Sequence, residues 1–235
     1  MCDDEIYKRF IEGNTRLTIY YDQEPWHPYG LNDMATTLAC WNDEEVFLPW
    51  TANEETEEKW RKQYGFVESK EDMIEWLDAA EKSGKPYLVY GITIFDKYGG
   101  LVLHTEEDLG CQVGSDEWFD KLDGAMMIDY ARFCKYINSN LSLTEKILDK
   151  MKRVLLEDFA VLNAWSHGSV FSVVKEARCP TCGQWREENE DEDSICGFYL
   201  TDLDSEKEMF DAMLCNFDCS SPDMTKIKSR MLTAA

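Results

Sequence analysis

The sequence predicts an α+β protein: a largely antiparallel sheet with several packed helices and a Cys-rich C-terminal hairpin. Three observations predict it. Short β-rich runs are separated by turn-rich segments, amphipathic stretches with helix-capping residues lie between them, and a Cys-Pro-Thr-Cys-Gly turn follows the last strong strand. Apolar residues make up 44% of the 235 positions and aromatics 13%, with 8 Trp, enough to bury a sizeable core and too many for a disordered acidic chain.

Leu17 to Tyr21 is a β-rich run, and Asp22 to Asn32, with Pro25, Pro28 and Gly30, is a loop before a second strand over Ala35 to Trp41. Glu54 to Tyr64 reads as an acidic helix stopped by Gly65. A second helix opens at Ser69 as N-cap, carries Met73, Leu77 and Ala80 on one face and ends at Gly84; together these helices form an acidic wall. Tyr87 to Phe95 is apolar on both alternating faces, as a strand covered on both sides must be. The turn from Asp96 to Gly100 folds it back on Leu101 to His104 as a hairpin. A strand over Ala125 to Tyr130 precedes a short helix over Ala131 to Ile137. The longest helix is expected over Leu143 to Ala164, with Ser142 and Glu145 as a capping box and Leu148, Met151, Leu155, Phe159 and Leu162 facing the core. Gly168 to Glu176 is the strand after it; Ser205 with Glu208 caps a helix to Cys215, and a last helix starts after Pro222. There is no internal repeat. The expected division is a core domain over 1–176 and a Cys-rich acidic hairpin with C-terminal helices over 177–235.

Charge excludes more than it assigns. Forty-seven Asp and Glu against 24 Lys and Arg leave a formal charge of -23, which repels nucleic acid and anionic membranes and attracts basic partners. A protein that itself binds nucleic acid is the natural partner, because its groove is built for rows of negative charge. The acidic residues cluster at Asp43, Glu44, Glu45, Glu54, Glu55, Glu57 and Glu58, and again at Glu187, Glu188, Glu190, Asp191, Glu192 and Asp193, followed by Asp202, Asp204, Glu206, Glu208 and Asp211. These clusters are the expected contact surface; solvated acidic loops have the same composition. Met1-Cys2-Asp3-Asp4-Glu5 has neither a basic start nor an apolar stretch, and no apolar run approaches the ~20 residues needed to span a bilayer, so a cytoplasmic protein is expected.

Cys179 and Cys182, separated by Pro180 and Thr181 and followed by Gly183, have the spacing that lets two thiolates bind one tetrahedral Zn²⁺. Cys196 and Cys215 complete the expected ligand set for one structural zinc, with Cys219 and His167 as alternatives for the fourth position. An empty hairpin tip and a redox pair are the other readings of the motif, the last disfavoured because no helix follows. His27, His104 and His167 show no hydrolase or metalloenzyme spacing, and no Gly-x-Ser-x-Gly or phosphate-cradling loop occurs, so no enzyme is expected.

Tyr21-Asp22-Gln23-Glu24-Pro25 with Asn32 to Trp41, Phe95 to Gly100, and Cys179 to Gly183 with Asp193-Ser194-Ile195-Cys196-Gly197-Phe198-Tyr199 resemble, in order and rough spacing over residues 17 to 200, a family of small acidic proteins encoded by phages and mobile elements of Gram-positive gut bacteria. Where that family has Cys directly after the Asp-Ser pair, this chain has Ile195 and then Cys196. The resemblance implies an inhibitor of host defence in the host cytoplasm, of anti-CRISPR or anti-restriction type, acting on the nucleic-acid groove of a defence nuclease. A zinc-stabilised adaptor or regulator, in which the charge is incidental, is the alternative.

Overall fold

The computed structural model describes residues 6–22, 25, 28–31, 34–41, 66–94, 100–139, 145–187 and 194–234. It has an α+β fold with two antiparallel sheets. The chain forms two compact units, one from 1–25 with 168–235 and the other from 26–167.

The contiguous unit is built on a four-stranded sheet in the order β3 (Thr37–Cys40), β6 (Gly124–Asp129), β4 (Tyr87–Ile94), β5 (Leu101–His104). Its central strands are apolar on both sides, as their sequence requires, because each face carries its own core. On one face Leu38, Ile92, Met126 and Ile128 meet Tyr29 of α1 (Pro28–Leu31) and Ile147, Met151, Val154, Leu155 and Leu162 of a 22-residue helix, Glu145–Ser166. On the other, Ala39, Val89, Ala125 and Met127 meet Met73, Trp76 and Leu77 of α2 (Lys70–Ser83), Leu109 of α3 (Glu106–Leu109), and Trp118 and Phe119 of α4 (Asp116–Asp120). Gly91 makes room for packing on β4: a Cβ there would sit 2.3 Å from a Leu122 methyl, so glycine lets the segment after α4 lie close on the strand. A short helix, α5 (Tyr130–Tyr136), follows β6 directly, with Asp129 as its N-cap; the 22-residue helix is α6.

The discontinuous unit pairs β1 (Ile6–Glu12) with β2 (Thr15–Tyr21), β2 with β7 (Val170–Arg178), and β7 with both β8 (Trp185–Arg186) and β9 (Ser194–Tyr199). Phe10, Leu17, Ile19, Phe171 and Val173 form one sheet face, and α7 (Glu206–Leu214) and α8 (Pro222–Ala234) cover it with Met209, Phe210, Met213, Met224, Ile227 and Met231. Arg16 chelates Glu176 across β2 and β7 at 2.6 and 2.5 Å. No helix among the described residues is long and apolar enough to cross a membrane.

Two expectations are revised. The division falls at 25/26 and 167/168 and not at 176/177, because β7 is the middle strand of the first unit's sheet: Leu17 pairs with Lys175 and Ile19 with Val173. Leu148 is 42% exposed, and Ile147 takes its place at the core, a shift of one position around the helix. The expected helix over Glu54 to Tyr64, the turn from Asp96 to Gly99 and the cap at Ser142 lie outside the described residues.

Candidate functional sites

Of the expected acidic wall the helix from Ser69 is described, and α3 and α4 add carboxylates beside it, each of the three segments fixed by its own cap. Ser69 accepts the Asp72 N–H at 3.0 Å to start α2, and Gly84, in the left-handed region at φ 62°, ends it. Thr105 and Asp108 form a reciprocal capping box on α3, and the Ser115 side chain accepts the Trp118 N–H on α4. Since Met73, Trp76, Leu77 and Ala80 occupy one side of α2, Glu71, Asp72, Glu75, Asp78 and Glu81 are driven to the other. Residues 68–85 and 105–123 together hold thirteen Asp and Glu against four Lys. Glu81 and Glu106 both act on the half-buried Tyr87: burial, and then Glu81 and Glu106, raise its hydroxyl above the ordinary range. Carboxylates of α2 and α3 therefore converge on one spot of the surface.

The opposite face of the same sheet differs. Residues 145–166 of α6 hold four Asp and Glu against four Lys and Arg, and Lys146, Lys150, Lys152 and Arg153 are exposed. Beneath α6 lies a buried polar network. Asp158 Oδ2 accepts the Thr36 N–H at 2.9 Å and its hydroxyl at 2.8 Å, so the Tyr29 hydroxyl, 2.7 Å from Thr36 Oγ1, donates to that oxygen. Arg132 Nε donates to the Ala35 carbonyl at 2.8 Å. Burial pushes the Asp158 carboxyl up to about 6, against the opposing pull of the Thr36 and Ala35 donors and of Arg132. The network ties the approach to β3 onto α5 and α6.

The Cys-rich turn closes the β7–β8 hairpin. Cys179 N–H donates to the Gln184 carbonyl at 2.7 Å, Gly183 N–H donates to the Cys179 carbonyl at 2.9 Å, and Gly183 takes φ 71°. That fold aims the backbone N–H groups of Cys182 and Thr181 at the Cys179 sulfur. With the Cys182 thiol and Arg186 adding to them, they lower the Cys179 thiol to about 7.

The structure brings together some expected site residues and separates others. Cys179 and Cys182 share one turn. Cys196 sits on β9, where Ile195 pairs with Val173, roughly 20 Å along β7 from the turn. Cys215 is the C-cap of α7. Among the described residues no group of three or more His, Cys, Asp and Glu is placed to hold a metal ion, and the eight described cysteines are free thiols. Asp43, Glu44, Glu45, Glu54, Glu55, Glu57, Glu58, Glu188, Glu190, Asp191, Glu192 and Asp193 lie outside the described residues, as does His27; Glu187 directly follows β8. His104 Nε2 is 2.8 Å from the Thr93 hydroxyl across β4 and β5, and His167 Nδ1 is 2.9 Å from the Asn163 carbonyl at the end of α6. The acids of α3 and α4 escaped the sequence reading, although Thr105-x-x-Asp108 and Ser115 are legible caps. In comparisons with known proteins, no family model, no curated protein and no solved structure matches the chain.

Proposed function

We propose that this chain is an interaction protein that docks its acidic α2–α3–α4 face into the basic, nucleic-acid-binding groove of another protein, with a host defence nuclease as the partner class. One observation supports the reading above the rest: carboxylates on rigid, capped helices gather on one face of a sheet whose other face carries balanced charge. Along α2, the five carboxylates from Glu71 to Glu81 occupy eleven residues of helix, about 15 Å from first to last. That is about one negative charge per 4 Å, close to the 3.4 Å axial spacing of phosphates on one DNA strand. A groove lined with Lys and Arg to follow phosphates meets a similar charge density here, held by a scaffold that loses little freedom on docking. Glu187 and the acidic runs outside the described residues add to the same net attraction.

The test is capture of partners from a host lysate by the tagged full chain at ~0.1 M and at ~0.5 M salt, where screening shortens the reach of surface charge from about 10 Å to a few ångströms. The expected result is a nucleic-acid-binding protein retained only at low salt and displaced by added DNA or RNA. The variant carrying Glu71→Lys, Glu75→Lys and Asp78→Lys loses that partner, and the variant carrying Lys150→Glu and Arg153→Glu keeps it. Retention of the same partner by the first variant, or at high salt, would refute charge-based docking.

A further inference from the structure

Beyond partner docking, we infer that the Cys179–Cys182 turn is a binding site for one soft monovalent d10 metal ion of the Cu(I) class, held by these two thiolates alone. The donor set selects the class. Sulfur ligands favour soft ions over Mg²⁺, Ca²⁺ or Mn²⁺, and a monovalent d10 ion is satisfied by two thiolates where Zn²⁺ takes four ligands. The turn supplies two: the Cys182 thiol lies within hydrogen-bonding reach of the Cys179 sulfur, and both side chains reach solvent at the tip of a hairpin. Nothing else among the described residues joins them as a third ligand. Cys196 is held out of reach by the β7–β9 register, and Cys215 belongs to the end of α7.

The surroundings are built for the resulting charge. Two thiolates and one monovalent cation leave a complex of charge -1. The N–H groups of Thr181 and Cys182 point at the Cys179 sulfur, Arg186 stands near it, and Arg178 Nε donates to the Gly183 carbonyl at 3.2 Å, bringing a second guanidinium against the turn. In a chain of net charge -23, two guanidinium groups and two backbone N–H donors gather at this pair of sulfurs. Binding releases the two thiol protons to solvent and transfers no electrons.

The experiment is anaerobic titration of the reduced full chain with Cu(I) buffered by a chromophoric Cu(I) chelator, followed by alkylation mapping and sulfur coordination by X-ray absorption. The expected result is one Cu(I) per chain, two sulfur ligands, and protection of Cys179 and Cys182 from alkylation while Cys196 and Cys215 stay reactive. Cys179→Ser and Cys182→Ser each lose the ion; Cys196→Ser and Cys215→Ser keep it. Four results overturn the inference: Cu(I) retained after Cys182→Ser, three or four sulfurs around the metal, no transfer from the chelator, or a preference for Zn²⁺ at one ion per chain that is lost with Cys196 or Cys215. One Zn²⁺ per two chains overturns it equally, since the turn would then be half of a shared tetrahedral site. Circular dichroism of each variant checks that the hairpin has not been lost, and loss of partner binding alone does not bear on the metal.

Discussion

The two faces of the four-stranded sheet in the contiguous unit are alike in packing and opposite in character. One is covered by a single long helix over a core of Met151, Leu155 and Leu162, with a carboxylate buried beneath it; the other is covered by three short helices over Met73, Trp118 and Met127, with carboxylates outside. Buried surface of similar kind thus underlies very different electrostatics. Packing decides where helices lie, and the residues left outside it are free to serve recognition.

The comparison can be broken most forcefully from within the cores. Trp118→Ala removes a side chain 1% exposed that packs at 5.4 Å from the Trp41 ring and 5.2 Å from Phe119, and should cost about 3–5 kcal/mol of stability in urea unfolding while releasing α4 and weakening partner capture. Met151→Ala on the opposite face should cost about 2–5 kcal/mol and, below its melting temperature, leave partner capture intact. If both variants lose the partner equally while folded, the acidic face is not the contact surface.

The buried carboxylate sharpens the contrast through pH. Asp158 titrates at about 6 in the folded chain against an ordinary value of 3.8, so as pH falls the folded state takes up this proton before the unfolded state does. Its contribution to stability is complete below about pH 4 and is lost as pH rises through 6, a span on the order of 3 kcal/mol. The difference in stability between the wild type and Asp158→Asn, followed by thermal unfolding from pH 8 to pH 4, should change in that window; a constant difference would mean that Asp158 titrates normally. The smallest effect is at the cap of α2. Ser69→Ala should cost ~1 kcal/mol and fray the first turn bearing Glu71 and Asp72, read as faster amide exchange there than in α6.

Elements with local signatures were legible in the sequence. Ser69 and Gly84 bound α2, Ser205 and Glu208 cap α7, and the doubly apolar run from Tyr87 is a central strand, each because the signal lies within a few residues of its effect. The stripe of α6 was read correctly at Met151, Leu155, Phe159 and Leu162 and missed at its first position, since Ile147 and Leu148 are both apolar and only the sheet decides which is buried. β1 was missed because Lys8, Arg9 and Glu12 interrupt its apolar residues; its strand character comes from pairing with β2. The acidic face was legible only in part. Density of charge drew attention to contiguous runs, whereas the described face is gathered from α2, α3 and α4 by tertiary packing that no single segment records. The two thiols of the turn were visible as a pair, and the separation of Cys196 from them depends on the β7–β9 register, which sequence spacing does not encode.

The pairing of β2 with β7 also sets an order of events during synthesis. Residues 26–167 can close their two cores as soon as they leave the ribosome, while the β1–β2 hairpin, already made, must wait for a partner strand encoded some 150 residues later. Until then Phe10, Leu17 and Ile19 have no helices over them and the hydrogen-bonding edge of β2 is open, so a stalled or C-terminally truncated chain presents a sticky ribbon beside a finished domain. Nascent chains released before β7 emerges should therefore aggregate through their first 25 residues, and deleting those residues as well should restore them to solution.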